Sequence, residues 1–188
     1  MRGLVRVGAA VPSLALGNVK ENMKRHLAMM REAKEQHVSI VTFPELSLTG
    51  YTCGDLFFQR RLLDDVTDAL LALKDEMPEG ILAVVGAPLE IEGALYNCAV
   101  VLHKGEIISA VPKTFLPNNG EFYEKRWFQS GDARRDASVA IPKLKTDVCR
   151  QAIFETEDGV RFGIELCEDL WAPLPPSTML SVEGAEII

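Results

Sequence analysis

The stretch Val160-Arg161-Phe162-Gly163-Ile164-Glu165-Leu166-Cys167-Glu168-Asp169-Leu170-Trp171 predicts a strand that ends at a sharp turn. Apolar residues alternate up to Cys167, and acidic residues follow it. A cysteine at such a turn stands above the sheet edge, with the next backbone N–H groups directed at the atom it attacks. The alternative is that Cys167 is a small buried hydrophobic residue, as most free cysteines are. This segment alone leaves both interpretations open.

The bulk composition is that of one globular domain with a sizeable core. The chain has 188 residues, of which 47% are hydrophobic and 25% are charged. The net charge of -7 and the scattered basic residues disfavour binding to nucleic acid. No apolar run approaches the roughly 20 residues that span a bilayer. We therefore expect a soluble, cytoplasmic protein whose partner is a small molecule or a protein.

The cysteines predict neither a disulfide framework nor a metal site. Cys53, Cys98, Cys149 and Cys167 include no CxxC pair, and the three histidines lie apart, so no zinc ligand set is visible. The chain is also too long and too rich in core residues for a disulfide-stapled domain. We expect reduced thiols, with Cys98 and Cys149 packed in the core and Cys53 partly exposed in a loop.

The order of predicted elements gives a mixed α/β architecture, a layered sheet with helices on one face. One helix begins at a capping box formed by Asn18 and Glu21, and a second is capped by Asp55 and runs to about Leu73. A short third helix is predicted at 177–183. The predicted inner faces are Val19, Met23, Leu27 and Met30 on the first helix and Leu62, Leu63, Val66, Leu70 and Leu73 on the second. Strands are predicted at 4–10, 38–43, 81–87, 95–102, 106–111, 148–154 and 160–166.

A long irregular segment and the end of the chain complete this pattern. Residues 114–135 are too long for a simple connector and predict a lid or binding loop. A turn at Lys104-Gly105 joins two strands into a hairpin, and another at 157–159 joins the last two predicted strands. Residues 185–188 read as the beginning of a further strand.

Three predicted strand ends carry reactive side chains: Glu45, Lys113 and Cys167. Sites gather at the carboxyl ends of strands in such sheets. A cysteine with an ordinary pKa of about 8.5 is mostly protonated at neutral pH, so it needs a base or a neighbouring cation. Glu45 can be the base, and Lys113 with the N–H of Glu168 can bind an oxyanion. Taken singly, Glu45 could be a solvated loop acid and Lys113 a surface charge.

Three ordered segments carry a family resemblance: Phe43-Pro44-Glu45-Leu46, Pro112-Lys113-Thr114-Phe115-Leu116-Pro117 and Glu165-Leu166-Cys167-Glu168-Asp169-Leu170-Trp171. They resemble the Glu–Lys–Cys signatures of the nitrilase or carbon–nitrogen hydrolase superfamily. Segments 49–56, 120–128 and 167–171 are similar, more narrowly, to the glutaminase domain of glutamine-dependent NAD synthetases. The resemblance implies a nitrilase-like four-layer αββα sandwich, incomplete at its C-terminus.

The resemblance also implies an activity, the hydrolysis of L-glutamine to glutamate and ammonia. Cys167 would attack the side-chain amide carbon and form a thioester. Glu45 would act as the general base and Lys113 would stabilise the oxyanion. The second glutamate typical of the superfamily maps to Glu124, with Glu121 as the alternative, and would orient Lys113 or the nucleophile.

The same resemblance implies a glutamine pocket formed by Tyr51, Glu168 and Trp171. At Asn119 the family commonly has a tyrosine that touches glutamine, so the substrate contacts at this position depart from the family pattern.

Residues 1–188 are thus expected to form one carbon–nitrogen hydrolase (glutaminase) domain, truncated, with the synthetase domain absent. In the family that missing domain amidates nicotinic acid adenine dinucleotide with ATP and Mg²⁺, so no cofactor is expected in this chain. Free sheet edges predict self-association, and hence a homo-oligomer. Two alternatives stay open: a stand-alone amidase acting on another amide, and a catalytically silent fragment.

Overall fold

The computed structural model describes residues 4–133 and 138–188. Across these residues, none of the helices is both long and apolar enough to cross a membrane. The helices are α1 (Val19–Glu35), α2 (Arg60–Glu76) and α3 (Pro176–Val182). The strands are β1 (Val7–Ala9), β2 (Ile40–Thr42), β3 (Leu82–Ile91), β4 (Ala94–His103), β5 (Glu106–Pro112), β6 (Ser138–Ile141), β7 (Thr146–Cys149), β8 (Phe154–Glu155) and β9 (Arg161–Phe162).

A seven-stranded mixed sheet forms the centre of the fold, in the order β1-β2-β3-β4-β5-β7-β6. The strands β1, β2 and β3 are parallel, β4 is antiparallel to both β3 and β5, and β5 is parallel to β7. Because β2 and β5 therefore run in the same direction, the residues that follow them emerge at the same edge of the sheet.

The two faces of this sheet are covered differently. On one face α1 and α2 bury a large core that includes Leu27, Val66 and Val85. On the other face a smaller cluster joins Val101 of β4 to Leu166, just before Cys167. The β8–β9 ribbon lies on this second side, and Leu180 of α3 packs against the segment that follows β9. The predicted mixed α/β fold is confirmed.

Most of the predicted helix patterns are also confirmed. The Asn18 side chain accepts a hydrogen bond of 3.2 Å from the backbone N–H of Glu21, as the capping motif predicts. The third helix appears as α3. The residues that α1 buries are Val19, Asn22, His26, Leu27 and Met30, and those that α2 buries are Leu62, Val66, Ala69, Leu70 and Leu73. The buried polar residues of α1 were not predicted.

The predicted cap of the second helix is wrong. The helix begins at Arg60, and the residues before it, Tyr51–Phe58, form a 3-10 segment broken at Gly54, where φ is 58°. Asp55 caps no helix; its two carboxylate oxygens each accept a 2.7 Å hydrogen bond from the guanidinium of Arg126. The planar guanidinium forms two parallel hydrogen bonds with this carboxylate, in place of the predicted helix cap.

The predicted strand at 148–154 is also wrong, because it is two strands belonging to two sheets. The chain leaves the large sheet after Cys149, turns at Gln151 with a φ of 58°, and starts β8 at Phe154. β7 pairs with β5 and with β6, a strand that was not predicted, while β8 pairs with β9. The hairpin turn at Lys104-Gly105 is as predicted, and Ile187 bridges to Phe162 near the end of the chain. Residues 134–137, including Arg135, lie outside the described residues.

All four cysteines lie within the described residues, and none of them forms a disulfide bond. Cys98 is buried as predicted, but Cys53 is buried as well, so its predicted exposure is wrong; its Sγ lies 3.2 Å from the carbonyl oxygen of Thr49. Cys149 is half-buried rather than packed in the core, and Cys167 is exposed.

Candidate active site

Glu45 lies in a tight turn directly after β2. Gly86 on the neighbouring strand β3 lies under this turn: a Cβ at Gly86 would lie 2.3 Å from the carbonyl oxygen of Pro44 and 2.4 Å from the backbone nitrogen of Leu46. Leu46 has a φ of 52°, in the left-handed region. The turn therefore needs a glycine beneath it, and it leaves the Glu45 side chain 17% exposed.

Lys113, the residue after β5, is completely buried. Its Nζ lies 2.6 Å from Oε1 of Glu45 and 2.8 Å from Oε1 of Glu124. Burial disfavours its charged form, but the two carboxylates outweigh burial and hold the pKa of Lys113 above its usual value. Lys113 is therefore a fixed cation at neutral pH, and it joins the ends of β2 and β5 through Glu45.

Glu124 closes the other side of this cluster. Its side chain is 1% exposed, and Oε1 accepts hydrogen bonds from Lys113 and, at 2.6 Å, from the hydroxyl of Tyr51. Its Oε2 has no hydrogen-bond partner within the described part of the chain. Burial raises the pKa of Glu124, although both donors oppose that effect. Glu121 is exposed on the surface, so it is Glu124 that the structure places beside Lys113.

Cys167 begins a 3-10 turn, Cys167–Trp171, and has a φ of 45°, which is strained for a residue with a side chain. It faces Glu45 across a small cavity of about 130 Å³ that is also lined by Gly86 and Leu166. Burial, and then the negative charge of Glu45, raise the pKa of Cys167, while Lys113 lowers it. The net increase keeps the thiol protonated at rest, so an attack by Cys167 requires a base.

Asn97 is a site residue that the sequence analysis missed. Its Nδ2 donates a 2.5 Å hydrogen bond to Oε1 of Glu45, and its carbonyl oxygen accepts a 2.8 Å bond from the backbone N–H of Lys113. The signal was a buried carboxamide within the otherwise mainly apolar strand β4. Asn97 thus contacts both residues that stand at the carboxyl edge.

The residues predicted to form a glutamine pocket fall into two groups. Tyr51 belongs to the cluster through Glu124, and Glu168 directly follows Cys167 and is half-buried. Asn119 and Trp171 are exposed, Trp171 by 75%, and the structure does not bring them into the cluster.

Comparison with known proteins places this geometry in a family. The profile described as Carbon-nitrogen hydrolase matches residues 6–188. The chain belongs to the carbon–nitrogen hydrolase family. The predicted membership is confirmed, and the chain is a carbon–nitrogen hydrolase domain related to the glutaminase part of glutamine-dependent NAD synthetases.

Relatives of this carbon–nitrogen hydrolase include much longer proteins. The glutamine-dependent NAD(+) synthetase of Mycobacterium tuberculosis is 36% identical over 189 residues, which cover 99% of this chain and 28% of that protein. The crystal structure of a glutamine-dependent NAD(+) synthetase from Cytophaga hutchinsonii has a TM-score of 0.79 at 29% identity, over 87% of this chain and 28% of that one. This chain therefore spans about 28% of the length of the synthetases it matches.

A more distant structure supports the fold. An amidase of the nitrilase superfamily from Nesterenkonia has a TM-score of 0.74 at 17% identity, over 97% of this chain and 63% of that one. The nitrilase-like fold predicted from the sequence is thus confirmed.

Proposed function

We propose that this carbon–nitrogen hydrolase hydrolyses the side-chain amide of L-glutamine through a thioester on Cys167. The observation that carries the proposal is the ion pair of 2.6 Å between Lys113 and Glu45, with Glu45 and Cys167 lining one cavity. Glutamine is the proposed substrate because the relatives at 36% and 29% identity are glutamine-dependent synthetases.

The first step is proton transfer from Cys167 to Glu45. Burial, and then the charge of Glu45, raise the pKa of the Cys167 thiol, which therefore needs a base. Glu45 is partly exposed whereas Glu124 is enclosed, so Glu45 is the carboxylate that substrate and water can approach. The thiolate then attacks the amide carbon, forming the C–S bond while the carbonyl electron pair moves onto oxygen.

Lys113 stabilises the oxyanion that results. An ammonium group has three N–H donors, and Glu45 and Glu124 occupy two of them. In the proposed reaction the third N–H binds the oxyanion, together with the backbone N–H of Glu168. Losing one such donor typically costs about 2.7 to 4 kcal/mol of transition-state stabilisation. Glu124, held by Tyr51, keeps the Lys113 ammonium directed at this position.

The remaining steps regenerate the enzyme. Glu45 returns its proton to the amide nitrogen, the C–N bond breaks and ammonia leaves. A water molecule then gives a proton to Glu45 and attacks the thioester carbon. The C–S bond breaks, glutamate leaves, and the proton on Glu45 returns to the sulfur of Cys167.

We also propose a destination for the ammonia, because the chain is similar to part of glutamine-dependent NAD(+) synthetases. In a longer protein a synthetase domain would use it, with ATP and Mg²⁺, to amidate nicotinic acid adenine dinucleotide; this chain itself needs no cofactor for glutamine hydrolysis. We place the reaction in the cytoplasm, where thiols such as Cys167 stay reduced. Pairing of exposed sheet edges would make the protein a homo-oligomer.

The test is ammonia release from L-glutamine by this chain, with Cys167→Ala, Glu45→Gln and Lys113→Met as variants. We expect turnover by the unaltered chain and loss of at least 1,000-fold in Cys167→Ala. Cys149→Ala changes a cysteine outside the site and is the matched control, with activity retained. Equal ammonia release from Cys167→Ala and the unaltered chain contradicts the mechanism. A panel of other amides, including asparagine and short aliphatic amides, identifies a different substrate if glutamine is inert.

A further inference from the structure

Asp169, two residues after Cys167, is a buried carboxylate with an unusual set of partners. It is 1% exposed. Its Oδ1 accepts backbone hydrogen bonds from Thr114 at 3.0 Å and Phe115 at 2.7 Å, and its Oδ2 accepts one from Leu166 at 3.1 Å. All three partners are main-chain donors in segments that leave their strands, where β-sheet pairing cannot satisfy them.

These three donors belong to the two segments that carry Lys113 and Cys167. Thr114 and Phe115 directly follow Lys113, and Leu166 directly precedes Cys167. One carboxylate therefore joins the backbones on which both side chains are mounted, across more than 50 residues of sequence.

An ionised acid fits this set of contacts best. A carboxylate accepts on both oxygens and donates nothing, whereas a carboxamide of the same shape presents N–H donors on one side. A buried charge without partners is costly, and three N–H donors offset that cost. Burial raises the pKa of Asp169 to about 6, while the three donors lower it, so at neutral pH the side chain is mainly the carboxylate.

We propose that Asp169 is a positioning residue for the hydrolysis, because its carboxylate fixes the Cys167 sulfur relative to the Lys113 ammonium. This inference rests on the proposed function. The side chain of Lys113 is held by Glu45 and Glu124, its backbone N–H by Asn97, and the next two backbone N–H groups by Asp169. In the Cys167 turn it is Asp169 whose hydrogen bonds reach the segment that follows Lys113.

The decisive variant is Asp169→Asn, with Asp158→Asn in an exposed turn as the matched control. The asparagine oxygen can still accept from Thr114 and Phe115, but its amide N–H groups then face the N–H of Leu166. The link to Cys167 is cut while volume and burial stay the same. Since a misplacement of about 1 Å can cost up to about 100-fold, we expect kcat to fall about 10- to 100-fold. KM for glutamine should stay within about twofold.

A second readout is independent of turnover. Burial and then Glu45 raise the pKa of Cys167 by more than Lys113 lowers it, so moving the turn away from the cluster should lower this pKa. The pH midpoint of iodoacetamide alkylation at Cys167, measured on protein shown to be folded by near-ultraviolet circular dichroism, should therefore shift downward in Asp169→Asn. It should stay unchanged in Asp158→Asn. Unchanged kcat, or an unchanged midpoint in a folded variant, overturns the inference.

These experiments distinguish a failure of the proposed glutamine hydrolysis from a failure of the proposed role of Asp169. If the unaltered chain does not hydrolyse glutamine, the proposed function fails, and the alkylation midpoints still decide the role of Asp169. If Asp169→Asn does not fold, Asp169→Glu replaces it, because the longer side chain keeps the charge and the acceptors but changes their distance. A fall in kcat of threefold or more with KM unchanged supports positioning, and full kcat in Asp169→Glu overturns it.

Discussion

The loop that carries Glu45 and the turn that carries Cys167 are supported in different ways. Residues 46–50, after Glu45, are all buried between α1 and the large sheet. In the turn, Cys167, Leu170 and Trp171 are exposed. The base of the proposed reaction is therefore built into the main core of the chain, whereas the nucleophile stands on a surface turn.

Polar groups of α1 explain the support of the Glu45 loop. His26 is completely buried, and its Nε2 lies 2.8 Å from the hydroxyl of Ser47. The Nδ2 of Asn22 donates a 3.0 Å hydrogen bond to the carbonyl oxygen of Leu48, whose N–H donates to Gly86 on β3 at 3.1 Å. The loop is thus tied on one side to a helix and on the other to a strand.

The Cys167 turn has far less beneath it. It follows β9, which has two residues, and the apolar cluster on its side of the sheet contains Val84, Ala99, Val101, Val111 and Leu166 as buried members. Asp169 supplies the polar anchor. The Glu45 loop and the Cys167 turn should therefore respond differently to mutation, to pH and to loss of surface side chains.

The largest effect is expected from Gly86→Ala, which acts on the Glu45 loop. The added Cβ would lie 2.3 Å from the Pro44 carbonyl oxygen, so the Glu45 turn must move. Overpacking of this kind costs about 1–3 kcal/mol or more of stability, and a shift of about 1 Å can lower kcat about 100-fold. Urea unfolding measures the loss of stability, and glutamine turnover measures the fall in kcat.

Gly8→Ala in β1 is the control for this prediction, because its Cβ would meet only the side chain of Val38, at 3.2 Å. If Gly86→Ala and Gly8→Ala lose the same small amount of activity, the Glu45 turn is less rigid than its burial implies.

A second effect, on stability and limited to acidic pH, is expected from the titration of His26. Burial lowers the pKa of His26 to about 4 from 6.5. Between these values the unfolded chain binds a proton that the folded chain does not, so this contribution to stability is present above pH 6.5 and is lost as the pH falls toward 4. At about 1.36 kcal/mol per pH unit, the loss approaches roughly 3 kcal/mol.

The measurement for His26 is the free energy of unfolding at several pH values from 7 to 4. The His26→Gln variant has no group to protonate at this position. The difference between its free energy of unfolding and that of the unaltered chain should therefore become smaller as the pH falls. His37→Asn, an exposed position with a φ of 58° that asparagine tolerates, is the control. Parallel pH curves for His26→Gln and the unaltered chain would show that His26 does not link the loop to pH.

The structure around the Glu45 loop was predicted better from the sequence than that around the Cys167 turn. The spacing of Leu62, Val66, Leu70 and Leu73 gave the inner face of α2, because a helix that covers a sheet repeats its apolar residues every three to four positions. The end of β2, shortly before Glu45, could likewise be located from a β-branched run followed by proline. These are local signals, which one sequence carries by itself.

The features that the sequence did not predict depend on contacts between distant segments. Asp55 is of a residue type that often caps helices, but its partner Arg126 lies 71 residues away. Asn97 reaches Glu45 only because β4 lies between β3 and β5, an order that periodicity does not encode. The change from one sheet to the other at Gln151 could not be predicted from the sequence for the same reason. Tertiary partners decide each of these cases, and they outweigh local propensity.

The smallest effect is expected in the exposed Cys167 turn, at Trp171. Trp171 is 75% exposed, so Trp171→Ala should change the free energy of unfolding by no more than about 0.5 kcal/mol. Trp127 packs its ring 5.6 Å from Phe57 and 5.0 Å from Tyr123, and Trp127→Ala should cost several times more. Urea unfolding of both variants makes the comparison within one residue type. A large loss of stability in Trp171→Ala would mean that the Cys167 turn is packed against a second copy of the chain in solution, because an exposed side chain has little else to lose.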